Sequence, residues 1–81
     1  MTEDVVQTVG RTIRRFREQQ GYSQEAFAQK ARLDRSYFGR IERGTQNLAL
    51  RTLCVIAIAL EVHPAELLAD VEVTFPPPSG Q

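Results

Sequence analysis

The sequence has very little of the side-chain chemistry from which disulfide scaffolds, metal centres and active sites are built. Cys54 is its one cysteine, which excludes a disulfide within the chain and a four-cysteine metal site. His63 is its one histidine and directly precedes Pro64, so no Ser/His/Asp or Cys/His catalytic set can be assembled. No glycine-rich phosphate-binding loop follows a strand pattern. We therefore predict neither an enzyme nor a metal site, and no cofactor.

Long apolar runs are also missing. No stretch reaches the roughly 18 apolar residues that a membrane-spanning helix requires. Residues 1–10 lack the basic region and apolar run of a secretory signal. We expect a cytoplasmic protein with no membrane partner. The 81 residues suffice for one domain with a modest core and leave none for a ligand-binding domain, so no small-molecule ligand is expected.

Charge is balanced over the whole chain but unevenly distributed along it. The net charge is zero, yet nine of the ten basic residues lie within residues 1–47, which carry a net charge of +3. Residues 48–81 carry a net charge of −3. Such asymmetry is a hint of one half that faces a polyanion and another with a different role. A solvated charged face would explain the same distribution.

The apolar spacing predicts an all-α fold of five short helices. Val5, Val9, Ile13 and Phe16 form one stripe of the first helix, and Phe38 and Ile41 should face the core from the third. Ser23 and Asp34 are typical helix N-caps. The predicted helices cover residues 5–20, 24–31, 35–43, 50–60 and 64–69.

These helices place one domain at residues 1–69, followed by a C-terminal tail at residues 70–81. Residues 76–78 are all proline and cannot be helical, so we expect the tail to be extended or disordered. Val71, Val73 and Phe75 alternate with polar residues, which is a weak indication of a short extended segment.

The second and third helices have the size and spacing of a helix-turn-helix, whose second helix enters the major groove of DNA. Arg35, Ser36, Gly39 and Arg40 share one exposed face of that helix, because they are related by steps of four residues. An arginine can bind O6 and N7 of guanine with two hydrogen bonds, and a glycine allows close approach. This face predicts double-stranded DNA as a partner.

The run SQExxAxxAxLxxxYxxxIERG at residues 23–44 resembles the phage repressor/Cro (xenobiotic-response-element) helix-turn-helix family. The resemblance extends over about residues 8–69. Within that family, LDRSYF at residues 33–38 and IERGxxNL at residues 41–48 are similar to controller proteins of restriction–modification systems. The resemblance implies a DNA-binding transcriptional regulator of the phage-repressor fold.

The resemblance also implies roles for individual residues. The base-contacting residues would be Arg35, Ser36 and Arg40. The residues that reach the DNA backbone would be Gln24, Tyr37, Arg43, Gln46 and Asn47. Arg17 and Glu42 occupy positions that form a buried ion pair in such domains.

Family analogy and the apolar excess of the last two helices place a dimer surface there. The candidate interface residues are Ile58, Val62, Leu67 and Leu68, although any of them could be core residues instead. A homodimer would hold two recognition helices about 34 Å apart and read one palindromic operator.

Several positions depart from the expected pattern. Relatives often carry a basic residue near Gln46, a glycine at Arg32 and a serine or threonine at Ala49. We therefore expect weaker phosphate binding, a strained or different turn after the second helix, and a fourth helix that frays or is capped by Asn47. Gly10 should weaken the first helix, and Cys54 should be a small core residue.

Two functions remain open at this point. The first is a sequence-specific activator or repressor that binds its operator as a homodimer. The alternative is an antitoxin or adaptor of the same fold that acts mainly through a protein partner, with residues 71–75 as the tether.

Overall fold

The computed structural model describes residues 4–72, which form five α-helices. In chain order they are α1 (Val5–Gln19), α2 (Gln24–Ala31), α3 (Arg35–Arg43), α4 (Leu50–Leu60) and α5 (Pro64–Leu67). The described residues contain no strand, and the all-α prediction is confirmed. None of these helices is both long and apolar enough to cross a membrane.

The starts of the helices follow the capping residues in the sequence. Ser23 and Asp34 each accept a hydrogen bond from a backbone N–H of the following helix, at 3.0 Å in both cases. Asp4 caps α1 in the same way, and His63 forms a reciprocal capping box with Glu66 on α5. Among the described helices, α4 is the one that begins without a side-chain cap, because Ala49 stands at that position. Asn47 does not replace it.

Four helices are followed, within two residues of their ends, by a residue in the left-handed region. These residues are Gly21, Arg32, Gly44 and Glu61, with φ of 82°, 58°, 77° and 60°. After each one, the next backbone N–H donates to a carbonyl five residues back, as in the Leu33–Ala28 bond of 2.8 Å. The expected strained backbone at Arg32 is present, and Glu61 is a second case that the sequence analysis missed.

The core lies where all five helices meet. Its fully buried large side chains are Phe27, Phe38, Ile13, Ile41, Ile56, Leu60 and Leu67. The rings of Phe27 and Phe38 lie 5.0 Å apart between α2 and α3. The core positions predicted for Phe38 and Ile41 are confirmed.

The prediction that Cys54 is a small core residue was wrong. Cys54 is exposed, because α4 turns Leu53 and Ile56 inward and leaves Cys54 on the face that also carries Ile58. Gly10 is buried where α1 packs against the backbone of α3, and its expected cost to the first helix stays a prediction. A Cβ there would collide with the carbonyl oxygen of Ile41.

The end of the domain also differs from expectation. The helix α5 ends at Leu67, two residues before the predicted end. Leu67 is fully buried against the core, so its assignment to a dimer surface was wrong. Val71 is half-buried against the core without forming a strand, and Asp70 pairs with Arg15 at 3.2 Å. Val73 and Phe75, the other apolar residues of the predicted extended segment, lie outside the described residues.

Candidate nucleic-acid interface

One polar cavity on the surface of α3 brings together most of the residues that the sequence singled out for DNA. Its lining residues are Gln24, Arg35, Ser36, Gly39, Arg40 and Arg43. The helix α3 follows α2 after a turn of three residues, so the N-terminus of α2 and the exposed face of α3 open on the same side. The arginines are exposed or half-buried on this side, but Gly39, which the sequence analysis placed on the exposed face, is buried beneath the side chains of Arg43 and Gln24.

Arg35 and Ser36 stand at the exposed start of α3. Within residues 4–72, neither side chain has a hydrogen bond or an ion pair. The Asp34 cap fixes the first turn beneath them. Both side chains are therefore available to a ligand at that end of the helix.

Arg40 has intramolecular partners on two sides. Its Nε donates to Oε1 of Gln46 at 3.2 Å, and its guanidinium carbon lies 5.9 Å from the centroid of the Tyr37 ring. The amide Nε2 of Gln46 donates to the carbonyl oxygen of Asn47, also at 3.2 Å. Gln46 is thus engaged with the protein at both ends of its amide, which the sequence analysis did not foresee.

A buried ion pair fixes α3 against α1. Arg17 donates from Nε to Oε2 of Glu42 at 2.6 Å and from Nη2 to Oε1 at 3.0 Å. The two side chains are 9% and 2% exposed. Arg17 Nη1 also donates to the carbonyl oxygen of Tyr22 at 2.7 Å, so one guanidinium holds α1, the turn before α2, and α3. The hydrogen bonds to Glu42 raise the pKa of Arg17, although burial opposes the shift.

Gln24 connects the start of α2 to this pair. Its Nε2 donates to Oε1 of Glu42 at 2.8 Å. An amide nitrogen carries two hydrogens, so the second N–H remains for a ligand on the open side. The glutamine that the resemblance implies for phosphate binding is thereby oriented by the ion pair behind it.

A second polar cavity continues this surface across α1. It is lined by Gln7, Arg11, Arg14, Glu42 and Arg43, so Arg43 belongs to both cavities. The sequence analysis did not assign Arg11 and Arg14 to a DNA-facing surface. Their spacing of three residues, off the apolar stripe, was the available signal that they form one basic edge.

The predicted interface residues of α4 and α5 do not share one patch. Leu68, 41% exposed, lines an apolar groove with Val5 and Leu50, and Asn47 lies at the same groove. Ile58, 75% exposed, lies on a separate patch beside Lys30 and Arg32. Val62 is half-buried. Leu50, 78% exposed, is an apolar surface residue that sequence reasoning missed.

Comparison with known proteins identifies the architecture. The helix-turn-helix family HTH_3 matches residues 13–67. The chain belongs to this helix-turn-helix family. The match spans the last part of α1 and all of α2 to α5, so the motif and the packing behind it are both included.

Control proteins are among the relatives of this helix-turn-helix protein. Control protein C.MunI from a Mycoplasma species is 36% identical over 70 residues, which cover 85% of this chain and 95% of the relative. Control protein C.BamHI from Bacillus amyloliquefaciens is 38% identical over 69 residues, or 84% and 85% of the two chains.

A solved structure gives the same result. The restriction-modification controller protein C.AhdI from Aeromonas hydrophila superposes with a TM-score of 0.74 at 40% identity. The match covers 76% of this chain and 94% of that protein. The resemblance to restriction–modification controller proteins is therefore confirmed, and this chain is a helix-turn-helix transcriptional regulator homologous to them.

Proposed function

We propose that this regulator acts in the cytoplasm as a homodimer that binds a palindromic operator, in the manner of a controller protein. The observation that carries the proposal is the polar surface of α3. It presents Arg35, Ser36 and Arg40 on one face, beside the start of α2. A helix with this face fits the major groove, where arginine distinguishes guanine by two acceptors at once.

The base contacts and the backbone contacts come from different parts of this surface. Arg35, Ser36 and Arg40 read base edges. Gln24 binds a phosphate with its second amide hydrogen, helped by the N-terminus of α2. Tyr37, Arg43 and Asn47 complete the backbone contacts. Gln46 has a different partner, Arg40.

Dimerisation follows from how little DNA one copy can contact. A single recognition helix reaches only a few base pairs, whereas two copies related by a two-fold axis read both halves of a palindrome. The exposed apolar side chains of α4 and α5 support this assembly, since Ile58 and Leu68 are left without cover in one chain. The proposed interface comprises Ile58, Val62 and Leu68, and it therefore extends over both the groove at Leu68 and the separate patch at Ile58.

Selection of genomic DNA fragments by the purified protein tests the proposal. It should be followed by footprinting of the selected site at two salt concentrations. We expect one short palindrome whose affinity falls steeply with salt, because several phosphates lose their counterions on binding. If no site is enriched at physiological salt, the operator-binding function is contradicted, and an antitoxin or adaptor of the same fold becomes the better hypothesis.

Substitution of the α3 residues separates base contacts from backbone contacts. Arg35→Ala should cost about 1–3 kcal/mol on the operator and relax specificity at one base pair. Gln24→Ala should weaken operator and random DNA alike. Arg51→Ala, on α4, is the matched control and should change neither affinity. An equal loss on operator and random DNA for Arg35→Ala would rule out direct reading of a base.

Sedimentation of the DNA-free protein tests the dimer. Ile58→Asp and Leu68→Asp change exposed side chains, so the fold should survive, and each should shift the protein from dimer to monomer. Leu50→Asp distinguishes the two patches, because Leu50 shares a groove with Leu68 but not with Ile58. It should also shift the protein to monomer if the groove at Leu68 belongs to the interface. If both of the first two variants remain dimeric, the proposed interface is wrong.

A further inference from the structure

We propose that Gln46 is a positioning residue that presents Arg40 to guanine, rather than a contact to the DNA backbone. The inference rests on the proposed operator-binding function and names a specificity determinant within it. The observation that supports it is the hydrogen bond from Arg40 Nε to Gln46 Oε1, near the end of the recognition helix.

The orientation of the Gln46 amide is fixed by its two neighbours. Arginine offers only donors, so it must face the amide oxygen. The carbonyl of Asn47 offers only an acceptor, so it must face the amide nitrogen. Both bonds are 3.2 Å long and are satisfied by the same orientation. Gln46 therefore presents an acceptor to Arg40 and has one of its two N–H donors already engaged.

The choice of Nε as the bonded atom matters for recognition. A guanidinium has five N–H donors, one on Nε and two on each terminal nitrogen. The bond to Gln46 uses the first and leaves Nη1 and Nη2 available. Two adjacent donors are what O6 and N7 of one guanine require. Gln46 thus restrains Arg40 through Nε and leaves Nη1 and Nη2 to bind a base.

Tyr37 restricts the same side chain from another direction. The guanidinium carbon of Arg40 is 5.9 Å from the ring centroid, within the range of a cation–π contact. Arg40 is half-buried, whereas Arg35 is exposed and has no such partners among the described residues. Arg35 must lose rotamer freedom when it binds, and Arg40 has lost part of it beforehand.

Two substitutions at Gln46 test the inference on the selected operator. Gln46→Leu removes the acceptor at similar size, and Gln46→Glu keeps an acceptor but removes the amide donor. Arg40→Ala first identifies the guanine that Arg40 reads. The readout is the affinity ratio between the operator and a copy with 7-deazaguanine at that position, which lacks the N7 acceptor. Gln29→Leu, an exposed glutamine on α2, is the matched control.

We expect Gln46→Leu to reduce that ratio about three- to tenfold, the effect of one hydrogen bond. Gln46→Glu should retain most of the ratio, and Gln29→Leu all of it. Discrimination at the guanine read by Arg35 should be unchanged. In an Arg40→Ala background, Gln46→Leu should cause no further loss of discrimination.

Three outcomes would overturn the inference while leaving the proposed function in place. The first is that Gln46→Leu loses the same affinity on operator and random DNA. The second is that Gln46→Leu still reduces discrimination in the Arg40→Ala background. The third is that Gln46→Glu is as impaired in discrimination as Gln46→Leu. A failure to select any operator would instead overturn the proposed function, and this inference with it.

A measurement without DNA gives an independent check. The Nε–H resonance of Arg40, assigned by comparison with Arg40→Lys, should shift in Gln46→Leu and not in Gln29→Leu. An unchanged resonance would show that the Gln46 bond does not form in solution, and the inference would be wrong.

Discussion

The first three helices and α4, the longer of the last two, are held in place by different kinds of interaction. In α1–α3, each helix has a side-chain cap, and Arg17 bonds to Glu42 across two helices. The helix α4 has no such cap and contributes mainly apolar side chains, among them Ile56 and Leu60. Hydrogen bonds are directional, so they fix the orientation of α3 relative to α1. Apolar contacts are not directional, so they stabilise the packing of α4 but restrict its orientation less.

The same division appears at the surface. Residues 1–47 carry a net charge of +3 and include the polar cavities of α3, while residues 48–81 carry −3. Within residues 4–72 the most exposed large apolar side chains are Leu50 and Ile58, which both belong to α4. One region is built to meet a polyanion with fixed geometry, and the other retains apolar surface suited to a second protein chain.

The largest expected effect comes from breaking the polar bonds of the first region. Glu42→Leu leaves the guanidinium of Arg17 buried without its counterion, which should lower the free energy of unfolding by about 3–5 kcal/mol. Urea unfolding measures it. Asp70→Leu is the control, since its 3.2 Å pair with Arg15 is more than half exposed and is worth about 0–1 kcal/mol. Equal losses in the two variants would contradict the role given to the buried pair.

The next effect tests the close contact between α1 and α3. Gly10→Ala should destabilise the protein by about 1–3 kcal/mol, because a Cβ would press on the carbonyl of Ile41 and the helices cannot separate without disturbing the core. Thermal unfolding measures the change. Gly39→Ala provides a matched helical glycine, where the neighbour at 3.2 Å is the flexible end of Arg43. That variant should be neutral or slightly stabilised; a loss similar to that of Gly10→Ala would show that helix packing is not the cause.

The comparison also separates what could be predicted from the sequence from what could not. Helix bounds came close to the structure because caps and apolar spacing act over a few residues, as at Ser23 and Asp34. Arg35, Ser36 and Arg40 could be placed on one face of α3 because the spacing of residues along a helix is set by local geometry, whereas Gln24 was found only through the family resemblance.

Features that depend on distant contacts were missed. Leu67 was assigned to the dimer surface because the apolar spacing around it does not show which side of this single-turn helix faces the core. Gly10 was interpreted by propensity alone, since only the packed structure shows that Ile41 lies against it. Gln46 was interpreted through the family pattern, and its hydrogen bond to Arg40 depends on how the chain turns after α3.

A smaller effect would reduce the difference between the two regions. Ala49→Ser should stabilise the protein by about 1 kcal/mol, because a serine hydroxyl could accept a free N–H in the first turn of α4. The backbone at Ala49, with φ −69° and ψ 155°, already has the conformation of an N-cap. Urea unfolding measures the gain, with Ala69→Ser, an exposed position after α5, as the control. No gain would indicate that the start of α4 is satisfied in another way.

The smallest effect concerns a conformation that occurs in both regions. Gly21 and Gly44 adopt the left-handed region without a side-chain penalty, but Arg32 and Glu61 adopt it at φ of 58° and 60°. Arg32→Gly and Glu61→Gly should each stabilise the protein by about 0.5 kcal/mol, since relief of the left-handed strain is partly offset by the added freedom of glycine in the unfolded chain. Chemical unfolding of the two variants side by side measures both gains. Glu61 also lies 3.9 Å from Lys30, but that pair is too exposed to change the order of magnitude of the effect.

Similar gains in stability would show that backbone strain at helix ends is independent of how each region is held together. A loss in Arg32→Gly alone would instead mean that the arginine side chain stabilises the turn before α3, and that the polar bonding of the first region extends into the helix-turn-helix itself.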